Sequence, residues 1–267
     1  MQVIGLCRFS YPALGGFQVE HGDAEARAEY LYSDARMANR FRQFETLCLP
    51  SIRQQTDNDF LFLVLVGDAM PAPWRDRLDA LLASVPQARI VTRPPGPHRR
   101  VCQEVINSHR DMDQPCLEFR HDDDDAVALT FVRDLKEAAV DCAGLRERHR
   151  LVGLDWAKGY VVQADAKGLW AAETLHPFWG VAQAVAVQPR TTLSIMNFAH
   201  AKLPRFMPTV SFSETPAYLR GHNAFNDSRQ RKDGKTPDLV QLTPAQEAAF
   251  KTRFGVDADH VRAVFAG

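Results

Sequence analysis

Continuous apolar segments and amphipathic segments alternate along the first half of the chain. The run Phe60–Val66 is apolar at every position and is closed by a Gly-Asp pair, which is typical of a strand covered on both faces. Apolar residues three and four positions apart predict helices between such runs. The predicted strands are Met1–Phe9, Phe60–Val66, Arg89–Thr92 and Cys116–Phe119, and the predicted helices begin near Ser33, Trp74, His98 and Val127.

The first predicted helix carries one apolar stripe. Four apolar residues from Met37 to Cys48 recur at spacings of four, three and four, so they share one face. Pro50 is expected to interrupt or kink this helix, because proline lacks the backbone N–H group. The preceding residues 10–32 contain proline and glycines and are predicted to be an irregular loop.

The second half of the chain is less regular. Thr243–Gln246 is a capping-box signature for a helix that Gly255 ends, and Asp257 is expected to cap a last short helix. The polar segment 226–238 is predicted to be a mobile loop or lid, and residues 203–221 to be mostly loop. The other predicted elements are a helix at Val127–Val140, strands at Arg150–Trp156, Gly159–Gln163, Trp170–Glu173 and Val181–Val187, and a strand or helix at Thr191–Phe198.

The order of these elements predicts an α/β fold. Alternating strands and helices give a parallel sheet with helices on both faces. Ligands of such sheets bind beyond the carboxyl ends of the strands. The chain shows no internal repeat and no linker, so residues 1–267 are predicted to form a single domain.

Four adjacent aspartates, Asp122–Asp125, follow the predicted strand Cys116–Phe119 almost directly. Adjacent like charges repel one another, so the fold must compensate for them. A divalent cation is one compensation, because carboxylate oxygens suit hard ions such as Mg²⁺, Mn²⁺ or Ca²⁺. An exposed acidic turn and a helix N-cap cluster are the alternatives. The position of the run at a strand's carboxyl end favours the cation site.

The composition and the absence of several known motifs argue against several classes of protein. A net charge of −1 argues against nucleic-acid binding through bulk charge. No apolar run approaches the roughly 20 residues that span a bilayer, and residues 1–15 do not resemble a signal peptide, so a cytoplasmic protein without a transmembrane segment is expected. The five cysteines are predicted to be reduced core residues. The chain has no GxGxxG, GxxxxGK[ST], GxSxG or HExxH motif.

A strand followed by an Asp-x-Asp pair and a helix suits a nucleotide-diphosphate site. Mg²⁺ or Mn²⁺ on one or two carboxylates would bridge to the phosphates and neutralise the leaving diphosphate. Asp123 and Asp125 would share one face of an extended segment, as would Asp122 and Asp124, and the sequence leaves this register open. Side chains at the predicted strand ends and on the next helix are expected to meet base, ribose or phosphate. The predicted nucleotide-sugar contacts are Arg8, Asp68, Arg93, Arg100, Asp122 and Asp123.

Three segments resemble a known family. The segments Leu49–Gln55, Phe119–Ala126 and Gly221–Asn223 are similar, in this order along the chain, to segments of bacterial rhamnosyltransferases, which are glycosyltransferases with the GT-A fold. The resemblance covers most of the chain. It implies one GT-A-like domain, with residues 1–126 as the nucleotide-sugar-binding half and residues 127–267 as the acceptor half with the C-terminal helices. It also implies metal-dependent transfer of a sugar, by the family's label rhamnose, from a nucleotide-diphosphate donor to a glycan or other hydroxyl acceptor.

The resemblance further suggests which residues hold the metal. Enzymes of the GT-A fold often complete the metal shell with a histidine from the C-terminal part. His222 is the first candidate and His200 the second, beside Asp123 and Asp125 as carboxylate ligands. The alternative for either histidine is a hydrogen-bonded loop or core residue.

An inverting transfer also needs a general base that deprotonates the acceptor hydroxyl. Asp155 and Glu173 are the candidates, because each follows an apolar run in the acceptor half. The alternatives are a strand-end turn for Asp155 and an exposed carboxylate for Glu173. Two other functions stay open at this point: a non-catalytic metal- or nucleotide-binding module, and a nucleotidyltransferase, which also uses paired aspartates on an α/β sheet.

Overall fold

The computed structural model describes residues 1–15, 23–223 and 238–267. The predicted polar loop at 226–238 lies, except for its last residue, outside the described residues. The strands are β1 (Gln2–Arg8), β2 (Leu61–Gly67), β3 (Ala88–Arg93), β4 (Cys116–His121), β5 (Ala126–Val127), β6 (Leu151–Trp156), β7 (Lys158–Asp165), β8 (Gly168–Leu175), β9 (Gln183–Val187), β10 (Thr209–Phe212), β11 (Tyr218–Gly221) and β12 (Val240–Gln241). The α-helices are α1 (Ala24–Leu31), α2 (Asp34–Gln43), α3 (Leu49–Arg53), α4 (Ala72–Leu82), α5 (His98–Asn107), α6 (Phe131–Asp141), α7 (Ala143–Arg148), α8 (Pro244–Phe254) and α9 (Ala258–Ala266).

The larger sheet has the strand order β10-β6-β9-β4-β1-β2-β3. The pairs β1–β2, β2–β3, β1–β4 and β6–β10 are parallel, and β9 runs antiparallel between β4 and β6. The sheet is therefore mostly parallel and flanked by helices, which confirms the predicted α/β fold. The chain leaves β1 towards β2 on one side and reaches β4 on the other. Open α/β sheets bind their ligands at such a reversal of strand order, which here lies at the carboxyl ends of β1 and β4.

Both faces are buried in the middle of this sheet, as the unbroken apolar strands β1 and β2 predict. Side chains alternate along a strand, so Val3 packs in one hydrophobic cluster and Ile4 in the other. The first cluster also contains residues of α2, α4 and α6. The second contains residues of α5 and of two 3₁₀ segments, Ile195–Asn197 and His200–Arg205.

A smaller sheet, of order β12-β8-β7-β11-β5, packs against α8 and α9. Thr243 and Gln246 form the predicted capping box at the start of α8, where the Thr243 N–H donates to Gln246 Oε1 at 2.9 Å. Gly255 ends this helix with a φ of 72°, a left-handed conformation that favours glycine. Asp257 caps α9, as predicted.

The start of the chain holds one helix that the sequence analysis missed. α1 lies inside the predicted loop 10–32, and the Asp23 carboxylate caps it by accepting the Ala26 N–H at 2.9 Å. Pro50 does perturb the next helix, but without ending it. The Leu49 N–H bonds back five residues to the Phe44 carbonyl, so the helix widens into a π-turn before the proline and then continues as α3.

Three predictions for the middle of the chain were wrong. The helix predicted at Val127–Val140 begins only at Phe131, because Ala126 and Val127 pair with β11. Thr191–Phe198 holds a single 3₁₀ turn instead of a strand or a full helix. Residues 203–221, predicted as mostly loop, contain β10 and β11. The partners of these strands lie far away in sequence, so the local pattern carried little signal.

The cysteines agree with the sequence prediction. All five cysteines are buried free thiols. They belong to the two clusters on either side of the larger sheet. Within the described ranges, no helix combines the length and the apolar character that crossing a membrane requires.

Candidate functional site at the carboxyl edge of the central sheet

The aspartates Asp122–Asp125, here called the acidic turn, connect β4 of the larger sheet to β5 of the smaller one. The turn closes with a hydrogen bond from the Asp125 N–H to the Asp122 carbonyl at 3.2 Å. It does not cap a helix, since α6 begins at Phe131 with Thr130 as its N-cap residue. The turn is also not an exposed surface feature, because Asp123, Asp124 and Asp125 are buried. The fold therefore has to compensate three buried carboxylates at this point.

Arg40 of α2 supplies part of that compensation. Its Nε donates to Asp123 Oδ2 and its Nη1 to Asp124 Oδ2, each at 3.1 Å. Its Nη2 also pairs with Asp123 Oδ1. The Arg40 side chain is only 6% exposed, so this is a buried ion cluster rather than a surface salt bridge.

The strand β11 and the residues directly after it supply further contacts to the buried carboxylates. The Gly221 N–H donates to Asp125 Oδ1 at 2.9 Å, and Asn223 Nδ2 donates to Asp124 Oδ2 at 2.9 Å. A Cβ at Gly221 would lie 2.1 Å from the Asp124 carbonyl oxygen, so the two backbones approach too closely for any other residue. Burial and the neighbouring charge of Asp124 raise the pKa of Asp125 well above its usual range.

Asp122 is the member of the turn that opens to solvent, with a side chain 43% exposed. Its Oδ1 accepts a hydrogen bond from Arg8 Nη2 at 3.0 Å. Arg8 Nη1 in turn lies 3.0 Å from His98 Nε2 at the start of α5. Burial first, and then the charges of Arg8 and Arg120, lower the pKa of His98 to about 3, so its ring is neutral at pH 7 and can accept from Arg8.

Two more guanidinium groups lie close to Asp122. Arg120 precedes it by two residues, so both side chains leave the chain on the same face. Arg120 Nη1 is buried and has no hydrogen-bond partner within the described residues. Arg220 Nη1 donates to the Trp179 carbonyl at 2.6 Å, and its guanidinium carbon lies 4.5 Å from the centroid of the Trp179 ring. Burial opposes ionisation of Asp122, but Arg8, Arg120 and Arg220 together hold its pKa well below the usual range.

The other predicted nucleotide contacts divide into two groups. Asp68 and Arg93 follow β2 and β3 at the same edge of the sheet as Asp122, and the Asp68 N–H bonds to the Arg93 carbonyl at 3.2 Å. Arg100 instead lies on the exposed side of α5, where it pairs with Glu104 at 2.8 Å. Arg8, Asp68, Arg93 and Asp122 therefore share the carboxyl edge of the larger sheet, whereas Arg100 lies on a solvent-facing surface.

The two predicted general bases occupy different sheets. Asp155 ends β6 at the carboxyl edge of the larger sheet, and its Oδ2 accepts from the Phe178 N–H at 3.0 Å and from the Ser211 hydroxyl at 2.9 Å. Burial raises the pKa of Asp155, although both hydrogen bonds act against this change. Glu173 lies on β8 of the smaller sheet, where its exposed carboxylate pairs with Lys158 at 3.2 Å.

The two predicted histidine ligands make backbone contacts. The His222 N–H donates to the Val162 carbonyl at 2.7 Å, and His200 Nδ1 lies 2.8 Å from the Phe178 carbonyl oxygen. Burial is the largest cause of a lowered pKa for His200.

The set Asp123, Asp125 and His222 does not fit the predicted Mg²⁺ or Mn²⁺ site in the arrangement described. Asp123 faces Arg40, and Asp125 accepts the N–H of Gly221. In the part of the chain that the structure describes, no three His, Cys, Asp or Glu side chains are grouped as a metal site. A metal at this edge stays a prediction, with the solvent-open Asp122 as the carboxylate that remains accessible.

Sequence reasoning missed the arginines Arg40, Arg120 and Arg220. Arg40 carries the one usable signal, since Arg36 and Arg40 are four residues apart on the buried face of the amphipathic helix α2. Charged residues on such a face need a buried partner, and the acidic run is the densest concentration of opposite charge in the sequence. Arg220 gives no comparable signal, because it reaches the site through the pairing of β11 with β5 and β7.

Among solved structures, crystal structures of S. aureus TarS are similar to this chain at low sequence identity. The structure of TarS 1-349 has a TM-score of 0.42 at 10% identity and covers 83% of this chain and 60% of its own. The complex of TarS 1-349 with UDP-GlcNAc has a TM-score of 0.42 at 9% identity, and the match covers 85% of this chain and 60% of the TarS chain. A further TarS structure has a TM-score of 0.43 at 9% identity, and the match covers 83% of this chain and 37% of the TarS chain. No curated protein matches the chain.

A comparison with protein families gives a match over most of the sequence. The profile described as "Putative rhamnosyl transferase" matches residues 2–235. That range includes β1, the acidic turn, Asp155 and β11, and so it contains every element that builds the carboxyl edge. The chain therefore belongs to the rhamnosyl transferase family that this profile defines.

Proposed function

We propose that this protein is a glycosyltransferase that moves a sugar from a nucleotide-diphosphate donor to a hydroxyl acceptor. One observation carries the proposal: a solvent-open carboxylate, Asp122, lies among three guanidinium groups at the edge where the strand order reverses. Guanidinium groups recognise phosphate oxygens in a bidentate manner, and ligands of open α/β sheets bind at such reversals. Membership of the rhamnosyl transferase family supports the same chemistry.

The donor would lie along the carboxyl edge. Its diphosphate would occupy the space near Arg8 and Asp122, and its nucleoside would extend over the ends of β2 and β3, where Asp68 and Arg93 lie. We propose rhamnose as the transferred sugar, on the strength of the family description. The acceptor would approach from the side of β6, on the other side of β4 from β1.

Of the two predicted bases, we propose Asp155. It lies at the carboxyl edge in register with Gln183 of β9, which pairs with Arg120 of β4. Neighbouring strands are about 4.8 Å apart, so the backbone of Asp155 lies about 10 Å from that of Arg120, two strands away. That spacing leaves room for a sugar ring between the diphosphate and the base. Burial raises the pKa of Asp155, and a raised pKa makes a carboxylate a better proton acceptor.

The proposed reaction balances as one displacement. Asp155 takes the proton of the acceptor hydroxyl, and the acceptor oxygen forms a bond to the anomeric carbon of the sugar. The bond between that carbon and the diphosphate oxygen breaks, and the nucleoside diphosphate leaves with the electron pair. The guanidinium groups near Asp122 would stabilise the negative charge that develops on the leaving group.

The test is a donor screen with purified protein. Rhamnose and other hexoses, each linked to dTDP, GDP or UDP, are incubated with the protein, with and without Mg²⁺ or Mn²⁺, and release of the nucleoside diphosphate is measured. We expect one donor to be turned over and Asp155→Asn to lower turnover by about 10²–10⁴-fold without weakening donor binding. Asparagine can still accept both hydrogen bonds through its amide oxygen, so unchanged turnover would mean that Asp155 only holds the backbone at Phe178.

Two other results would point to the alternative functions. Release of pyrophosphate from a nucleoside triphosphate would indicate a nucleotidyltransferase. Binding of a nucleotide sugar without release of diphosphate, across all donors and simple glycan acceptors, would favour a non-catalytic binding module.

A further inference from the structure

Three aspartates of the acidic turn are buried and bind groups of the protein, and the fourth, Asp122, is partly open to solvent. Asp123 and Asp124 share the guanidinium group of Arg40, and Asp125 accepts the Gly221 N–H. These contacts are internal to the fold, and they take up at least one oxygen of each of the three carboxylates. Among the four aspartates, only Asp122 presents a partly exposed carboxylate to solvent.

The open side of the turn is rich in positive charge. Arg8 donates to Asp122, and Arg120 and Arg220 act on the same carboxylate. Burial lowers the pKa of Arg120, and the charges of Arg8 and Arg220 lower it further against the opposing effect of Asp122. Three guanidinium groups thus meet one exposed carboxylate, and they repel one another.

Among the guanidinium groups of Arg8, Arg120 and Arg220, Arg120 has an N–H group that an anion could bind. Its Nη1 is buried without a hydrogen-bond partner in the described part of the chain. A buried guanidinium N–H without an acceptor is strongly unfavourable, so its natural complement is an oxygen ligand at this edge of the sheet. Burial lowers the pKa of both His98 and His200, so these two histidines add no positive charge to the guanidinium groups at pH 7.

The contacts of Arg8 and Arg220 keep both groups in place. Arg8 lies between Asp122 Oδ1 and His98 Nε2, each 3.0 Å from one of its terminal nitrogens. Arg220 stacks on the Trp179 ring and donates to the Trp179 carbonyl. Preorganised cations of this kind stabilise a phosphate without the reorganisation that flexible lysines would need.

We propose that Arg8, Arg120 and Arg220 neutralise the diphosphate of the donor directly, so that the protein binds its nucleotide without a divalent cation. The inference deepens the proposed function and rests on it. It departs from the Mg²⁺ or Mn²⁺ that the Asp-x-Asp pattern predicts. In this arrangement Asp122 holds Arg8 in position and limits the affinity for the anion, instead of bridging a metal to the phosphates.

The two arrangements predict opposite effects of removing the charge of Asp122. If guanidinium groups bind the phosphates, Asp122→Asn removes a repulsive charge, and inorganic pyrophosphate should bind about tenfold more tightly in EDTA. If a metal links Asp122 to the phosphates, the same substitution should weaken binding in Mg²⁺ or Mn²⁺. Pyrophosphate is the chosen probe because it has no ribose or base whose contacts to Asp122 would mask the effect.

The experiment is isothermal titration calorimetry on the full chain. Pyrophosphate, UDP, GDP and dTDP are titrated in EDTA and again in Mg²⁺ and Mn²⁺, into the wild type, Asp122→Asn, Arg8→Met and Arg120→Lys. We expect at least one nucleoside diphosphate to bind with the same Kd, within about threefold, in EDTA and in metal, and Arg8→Met to weaken it by about tenfold. Asp113→Asn is the matched control, since Asp113 is an exposed aspartate that pairs with Arg190 before β4 begins.

The outcomes separate this inference from the proposed function. Binding of nucleoside diphosphates only in the presence of metal, with loss of that binding in Asp122→Asn, would overturn the inference and leave the transferase intact. Binding of pyrophosphate in EDTA but of no nucleoside diphosphate in any buffer would remove the donor assignment, and the inference with it. Since Arg120 is buried, circular dichroism of Arg120→Lys is compared with wild type, and Arg8→Met carries the test if that variant does not fold.

Discussion

Replacing Arg40 with methionine is predicted to destabilise the protein strongly, although Arg40 lies far from the acidic turn in sequence. In the folded chain its guanidinium group makes contacts to both Asp123 and Asp124. All three side chains are less than 10% exposed, so water cannot take over the role of the guanidinium group. Methionine fills a similar volume but leaves two adjacent buried carboxylates without their shared cation.

The size of the effect follows from the burial. Breaking a buried ion pair by removing one partner costs about 3–5 kcal/mol, and here one guanidinium group serves two carboxylates. With an m-value of about 3 kcal/mol/M in urea, the unfolding midpoint should fall by about 1–1.7 M. Urea unfolding followed by tryptophan fluorescence and by circular dichroism measures this shift and checks that the two transitions coincide.

Two further variants separate the charge from the packing. Arg133→Met removes an exposed arginine that pairs with Asp134, and it should cost less than about 1 kcal/mol. The triple variant Arg40→Met/Asp123→Asn/Asp124→Asn removes the unpaired charges and should regain at least half of the lost stability. A loss below about 1 kcal/mol in Arg40→Met, or no recovery in the triple variant, would refute the account of the acidic turn as a buried ion cluster.

Two other substitutions test the packing at β11 of the smaller sheet and the electrostatics of β4 in the larger sheet. Gly221→Ala should lower stability by about 1–3 kcal/mol in urea unfolding, because its Cβ would lie 2.1 Å from the Asp124 carbonyl oxygen, whereas Gly144→Ala in α7, where a Cβ meets nothing within 4 Å, should be neutral or stabilising. Burial raises the pKa of Glu118 to about 7 in the folded state, so folding takes up a proton between about pH 4.5 and 7 and stability should rise as pH falls through that window. Glu118→Gln should remove this contribution of about 3 kcal/mol to the pH dependence, and identical slopes for both proteins between pH 8 and 5 would contradict the assignment.

The strands β1, β2 and β4 of the larger sheet were predictable because they are buried on both faces. Such strands need an apolar residue at every position, and β2 satisfies this in sequence and in structure. The helices between them showed the three- and four-residue spacing that packing on a sheet demands, and α5 begins at His98 as predicted. Local pattern and final packing reinforce each other in this part of the chain, so the sequence alone was sufficient.

The short strands that complete the site were not predictable in this way. β5 has two residues and β11 has four, and each exists because of a partner distant in sequence. The sequence placed the acidic run correctly at the end of β4, but it could not show that β11 delivers Gly221 and Arg220 to that point. Guanidinium groups and backbone N–H groups compensate the charge of the buried carboxylates, and their placement depends on contacts between residues far apart in sequence.

The contacts of the acidic turn also change how substitutions within it are to be interpreted. Asp123 binds α2 through Arg40, and Asp125 binds β11 through Gly221, so both hold separate elements of the fold together. Loss of activity in Asp123→Ala or Asp125→Ala would therefore follow from damage to this junction as readily as from loss of a metal ligand. Asp122, exposed and paired with Arg8, is the position at which charge can be changed with the least effect on the fold. The distinction between a metal and a guanidinium cluster must therefore be made at Asp122, with binding and stability measured on the same variant.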